Sequence, residues 1–191
     1  AYKKKIVIFG ILTSITVVNC ALMMYNTLCK DTKITFINAG KGESVLIETG
    51  ENNHILIDCG SKSSSDPTNE IFIPYFECTG IRKIDKLYIS YFDDEHTNSV
   101  NFLMKKGYVR EIILPEKTEI SRNNILFNRN KIIDAAEKFG VKYSYIDFGS
   151  THKIDNTCNI YLRDENKNLK DKNATAIYTI QCGDTSFTLS S

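Results

Sequence analysis

The sequence predicts an α/β sandwich behind one membrane-spanning helix. Three observations carry that prediction. An uncharged run opens the chain, short strand-like runs closed by glycine follow it and return near the end, and strand and helix patterns alternate between them.

The opening run comes first. Tyr2-Lys3-Lys4-Lys5 leads into an uncharged stretch from Ile6 to Cys29. As a helix it would extend roughly 36 Å at 1.5 Å per residue, longer than a bilayer core of about 30 Å. A cleaved signal has the same basic start, but its apolar stretch is about 7–15 residues long and ends at a small-residue site. Here the run continues through Met24 and Tyr25 without an Ala-x-Ala site, and Asn19 stands before Cys20 where a lipoprotein site needs a small residue. The expectation is a signal-anchor helix over 6–29 in an anchor region 1–30, with 31–191 as a separate domain. Lysines flanking such a helix stay on the cytoplasmic side. That makes this a single-pass cell-membrane protein with its soluble domain outside.

The runs "KITFINAG", "SVLIETG" and "HILIDCG" are apolar or alternating and each ends in glycine, which reads as a β-meander. A serine-rich loop follows over 61–69. Glu70 to Thr79 reads as a short helix limited by Pro74 and stopped by Gly80. "KLYISY" (86–91) is a buried-type strand, Ser99 to Lys106 a helix ending at Gly107, and "EIILPE" another strand. Asn124 to Phe139 is an amphipathic helix with Ile125, Ile132, Ile133, Ala136 and Phe139 on one face. "VKYSYIDF" follows as a strand. "NTCNIYLR", "ATAIYTIQC" and "TSFTLS" form a second antiparallel series with Gly183-Asp184 as a hairpin turn. The charged stretch 164–173 reads as a solvated loop. The chain stops at Ser191 on a strand, so either the fold ends there or the sequence is cut short.

Composition limits the function classes. A chain of 191 residues with 42% hydrophobic content can bury a real core. A net charge of +1 gives no global pull toward nucleic acid or anionic membrane, so a polyanion would need a local patch. No Cys-x-x-Cys spacing exists, which argues against a thiolate zinc site. In an oxidising exterior Cys59, Cys78, Cys158 and Cys182 are allowed to pair in any of three ways, or to serve as small buried hydrophobes.

The densest metal-binding chemistry is "SYFDDEHTNS", where Asp93, Asp94, Glu95 and His96 follow a strand. Carboxylates and imidazole suit Zn²⁺, Mn²⁺ or Mg²⁺, and a strand end with a tight loop can converge them on one ion. Asp58, closing the neighbouring strand in "LIDCG", could approach from beside it. A metal so held would acidify a bound water to a pKa near 7. The plainer reading is that Asp93 or Asp94 caps the helix that follows.

The order of these motifs resembles the metallo-β-lactamase superfamily, within it the extracellular domain of the ComEC-type DNA-internalisation competence proteins. "ITFINAGKGESVLIETGENNHILIDCGS" is similar to that family's Asp-Val-Gly-Gln-Gly-Asp-Ser turn and Leu-Ile-Asp-Thr-Gly strand end. "IPYFECTGIRKIDKLYISYFDDEH" resembles its Leu-Pro-Tyr-Leu helix and the strand running into a His-x-Asp-x-Asp-His metal motif, and "NATAIYTIQCGDTSFTLSS" its Asn-Asn-x-Ser strand pair. The resemblance covers roughly residues 33 to 191. It implies an αββα sandwich, truncated in its second half, and a metal-dependent phosphodiester hydrolase acting on DNA. Asp93, Glu95 and His96 would be the metal ligands for Zn²⁺ or Mn²⁺, with Asp58 orienting water.

Departures from the motif qualify that implication. Tyr91 stands where the first histidine belongs, Glu95 replaces an aspartate, and the later Gly-Gly is Asn98-Ser99. Asn38 and Glu43 replace two aspartates of the opening turn, and the family's second-half histidine motif is missing. The expectation is a degenerate site that holds metal weakly or not at all. Asp94 is expected to point away and cap the helix. The alternatives are a catalytically inactive binding or scaffold module, or a fragment of a longer hydrolase.

Overall fold

The computed structural model describes residues 2–28, 31–116, 123–163 and 176–189. The charged stretch 164–173, Cys29, the Ile125 side chain and Ser190-Ser191 lie outside the described residues. Two compact units divide the chain, Ala1–Asp31 and Thr32–Ser191.

Helix α1, Tyr2–Leu28, makes up the first unit. Its Lys3–Met24 stretch, 22 residues, is long and apolar enough to cross a membrane. Phe9, Leu12, Val17 and Met23 are all exposed, so the helix is apolar on every side rather than along one stripe.

The second unit is built on a six-stranded sheet whose spatial order follows the chain, β1-β2-β3-β4-β5-β6. Strands β1 (Lys33–Phe36), β2 (Val45–Glu48) and β3 (His54–Ile57) form the antiparallel meander. Strands β4 (Lys86–Tyr88), β5 (Glu111–Pro115) and β6 (Lys142–Ile146) continue it in parallel from β3. Parallel neighbours need crossovers, and crossovers are right-handed. With the strand order running one way, each crossover helix must then land on the same face. Those helices are α2 (Ile73–Thr79), α4 (Val100–Lys105) and α5 (Asn123–Phe139).

Register explains why both faces are apolar. Leu46, Leu56, Leu87 and Ile112 lie in one row across β2 to β5. They pack against Phe72, Phe76, Leu103, Ile132 and Ala136 on the helix side. Next to them Val45, Ile57, Tyr88 and Ile113 form a row facing the other way. That second row meets β7 (Thr151–Lys153), β8 (Cys158–Arg163), β9 (Ile177–Cys182) and β10 (Thr185–Leu189), an antiparallel sheet of order β10-β9-β8-β7. Its inward residues Cys158, Ile160, Leu162, Tyr178 and Ile180 close the second core. Burial on both faces is what makes "HILI" and "EIILP" continuous apolar runs rather than alternating ones. Among the described residues the layers run helix, sheet, sheet.

Two local differences from the sequence reading have physical causes. The helix expected from Glu70 begins at Thr68 with a wide π turn, Thr68–Phe72, before α2. Ile73 N–H bonds Thr68 O, and Pro74, without an N–H and with a bulky ring, follows directly. The three-residue β7 carries no apolar alternation and exists by pairing Thr151, His152 and Lys153 with Tyr161, Ile160 and Asn159. It is the edge strand of that sheet, with only its middle residue half-buried, where the Tyr88 hydroxyl sits 2.9 Å from His152 Nδ1.

Candidate functional site

Three loops meet at the carboxyl ends of the strands, where open α/β sheets place their sites. They are residues 37–44 after β1, 58–63 after β3, and 89–99 after β4. Backbone bonds lock them together: Cys59 N–H to His96 O (2.9 Å), Ser99 N–H to Cys59 O (3.1 Å) and Lys62 N–H to Lys41 O (2.6 Å). Ser61, fully buried, donates its hydroxyl to Ala39 O. Asn98 grips Ser61 from both sides, accepting from its N–H at 3.1 Å and donating to its carbonyl at 2.6 Å.

Asp58 sits at the centre of this lock. Its backbone has a φ of 56°, in the left-handed region that non-glycine residues seldom adopt. That turn swings its carboxylate onto Ser90, whose N–H donates to Oδ1 at 2.8 Å and whose hydroxyl donates to Oδ2. Ser44 Oγ donates to the Asp58 carbonyl at 2.8 Å. Only 3% of the residue is exposed. Burial raises its pKa to about 7, against the opposing pull of His96 and the two Ser90 hydrogen bonds. A cavity of about 10 Å³ beside it, bordered by Glu43, Ser44, Ser90 and Tyr178, is close to the least volume that admits one water. Tyr178, from the second sheet, donates to Ile89 O at 2.8 Å and closes the floor.

The acidic cluster forms α3, Asp94–Thr97, with Asp93 as its N-cap. Asp93 Oδ1 accepts from His96 N–H at 3.1 Å and lies 2.5 Å from His96 Nδ1. Asp93 is therefore the cap, in place of Asp94, which lies exposed as the first helical residue. Glu95 turns outward and pairs with Lys62 Nζ at 2.8 Å. Tyr91 lies edge-on to the His96 ring, 5.9 Å between centroids. So the fold joins Asp93 to His96 and sets Asp58 one residue from His96 across the Cys59 bond, while Glu95 points elsewhere.

A resident catalytic metal needs three or so fixed protein donors on one ion. Among the described residues no three His, Cys, Asp or Glu side chains converge that way. Asp93 serves the helix cap and the imidazole, Glu95 serves Lys62, and Asp58 serves Ser90. Among the described residues the donor set does not fit a hydrolytic metal centre.

Four of the lock's residues are absent from the metal reading. Gly42 and Gly60 sit where another backbone passes: a Cβ on Gly42 would lie 2.2 Å from Gly60 O, and one on Gly60 would lie 2.3 Å from Glu95 C. Asn98 and Ser90 supply the side-chain bonds. The signal for the glycines was present in "NAGKG" and "DCG", two glycine-bearing turns in succession, but their mutual contact needs the third dimension.

No family model matches the chain. It is similar to ComE operon protein 3 of Bacillus subtilis (strain 168), 23% identical over 146 residues, covering 70% of this chain and 18% of that protein. It is also similar to competence protein ComA of Neisseria gonorrhoeae, 35% identical over 63 residues, 33% of this chain and 8% of the relative. The chain thus spans under a fifth of the length of either relative. Among solved structures it is similar to the metallo-β-lactamase fold protein YhfI from Bacillus subtilis, with a TM-score of 0.52 at 14% identity over 83% of this chain and 62% of that one. The chain has the metallo-β-lactamase fold and resembles competence proteins in sequence.

Proposed function

We infer that this chain is a membrane-anchored, extracellular metallo-β-lactamase-fold module of the DNA-uptake type that binds or scaffolds rather than hydrolyses. One observation carries the reading: Asp93 is turned to the cap and His96, Glu95 is turned to Lys62, and Asp94 is exposed, so the carboxylates of the 93–96 cluster do not converge. The competence resemblance supports the DNA-uptake setting. A cleft of about 430 Å³ lined by Arg82, Lys106 and Tyr108, with Glu77 as its one acidic residue, carries a local excess of one positive charge beside an aromatic ring.

A second reading has its own support. A carboxylate on one imidazole nitrogen is how ligating histidines are oriented, so the Asp93–His96 pair would present the other ring nitrogen to one metal ion. Purified protein of residues 1–191, assayed for bound metal and for DNA cleavage with Mn²⁺ and Zn²⁺, separates the two. Substoichiometric metal and no cleavage above that of His96→Ala is the expected result. Robust cleavage that vanishes in His96→Ala would overturn it.

The anchor is tested by fractionation. The uncharged α1 should keep the intact chain in carbonate-washed membranes until detergent is added. Its recovery in the soluble wash would overturn the anchor.

A further inference from the structure

We propose that Cys158 and Cys182 form a reversible cross-strand disulfide that staples β8 to β9 when the domain meets an oxidising thiol pool. The two residues are directly opposite each other in the antiparallel register. Their Sγ atoms are 3.2 Å apart as free thiols.

Backbone bonding identifies the kind of pair. Cys158 N–H goes to Asp155 Oδ1 and its carbonyl accepts from Ile154 and Asp155, all on the side away from β9. One step outward, Gly183 N–H donates to Thr157 O across the β8–β9 interface. This is the pattern of a non-hydrogen-bonded pair, in which Cα atoms approach to about 4.5 Å. A disulfide spans Cα separations of about 4.4–6.8 Å, so the pair can close with little backbone movement.

No other thiol of the described domain competes. Cys59 belongs to the helix-side core and Cys158 to the inter-sheet core, with the six-stranded sheet between them. Cys78 lies exposed on α2, on the helix side.

Exposure sets the order of events. Cys158 is fully buried and Cys182 is half-buried, so an incoming disulfide meets Cys182 first. The Cys182 thiolate attacks one sulfur of a low-molecular-weight disulfide; the donor S–S bond breaks and one donor thiolate leaves, taking up a proton. Cys158, deprotonated, then attacks Cys182 Sγ and releases the second donor thiol. Two protein thiols and one donor disulfide become one protein disulfide and two donor thiols. Burial holds both protein thiols above the ordinary thiol range, which lowers the thiolate fraction and slows each exchange step.

Protein of residues 1–191 in detergent, equilibrated with glutathione disulfide, acid-quenched, alkylated under denaturing conditions and digested, tests this. The expected result is a peptide linking Cys158 to Cys182, loss of alkylation at those two residues without a glutathione adduct on either, and reversal by dithiothreitol; a glutathione adduct on exposed Cys78 is independent of it. Cys158→Ser should stop at a glutathione adduct on Cys182, and Cys182→Ser should leave Cys158 unmodified. All thiols remaining free, an adduct on wild-type Cys182 that never resolves, or a linkage through Cys59 or Cys78 would each overturn it.

Discussion

Gly60→Ala is expected to destabilise the domain by at least about 3 kcal/mol, a large share of the roughly 5–15 kcal/mol that holds a typical fold. The added Cβ would stand 2.3 Å from both Glu95 C and Glu95 O and 2.5 Å from Asp94 O, all backbone atoms of α3. No side-chain rotation relieves that contact. Either the 58–63 loop or α3 must move, and movement of either breaks the Cys59 and Ser99 bonds that join them. Gly80→Ala is the matched control. Its φ of 76° makes alanine strained by roughly 1–2 kcal/mol, but nothing lies within 4 Å of the new Cβ. Urea unfolding of both variants measures the difference, and equal midpoints would show that the loops do not touch as described.

Asp58 should make the wild type lose stability as pH rises from about 4 to about 7. The folded protein holds its proton up to a pKa of about 7, while the unfolded chain releases it near the ordinary carboxylate value of 3.8. Between those limits the folded state binds more protons, so raising pH favours unfolding; outside them the term is constant. Asp58→Asn keeps both bonds to Ser90, with the amide oxygen accepting from the N–H and the amide nitrogen donating to the hydroxyl, and carries no titrating proton. The wild-type-minus-variant stability should therefore fall by roughly 2–4 kcal/mol across that window. Comparing the two proteins removes other groups such as Asp155, held low at about 2, whose stabilising effect is lost only at more acidic pH. A difference curve flat from pH 4 to 7 would show that Asp58 is ionised throughout.

The strands of both sheets except β7, the meander, the Ile132–Ala136 face of α5 and the closing hairpin were legible in the chain because each follows from local rules: glycine closing a turn, a period of 3.6 or 2, an apolar run. The apolar length of α1 was legible for the same reason. Even the site's address was readable, since "LIDCG" and "SYFDDEH" each end an apolar strand. What the acidic residues do there was not. Asp, Glu and His next to one another in sequence carry the same letters whether they converge on an ion or diverge to separate partners. That choice belongs to the α3 turn, which spends Asp93 on the cap and His96 and sends Glu95 to Lys62, and to Gly42 and Gly60, which let three backbones pass close enough to seal the loops. It also belongs to the β8–β9 register, which selects Cys158 and Cys182 among the thiols of the described domain. Periodicity and turn chemistry act over a few residues, so sequence alone determines elements and their order; side-chain direction depends on contacts between residues far apart in the chain, and only the folded structure decides it.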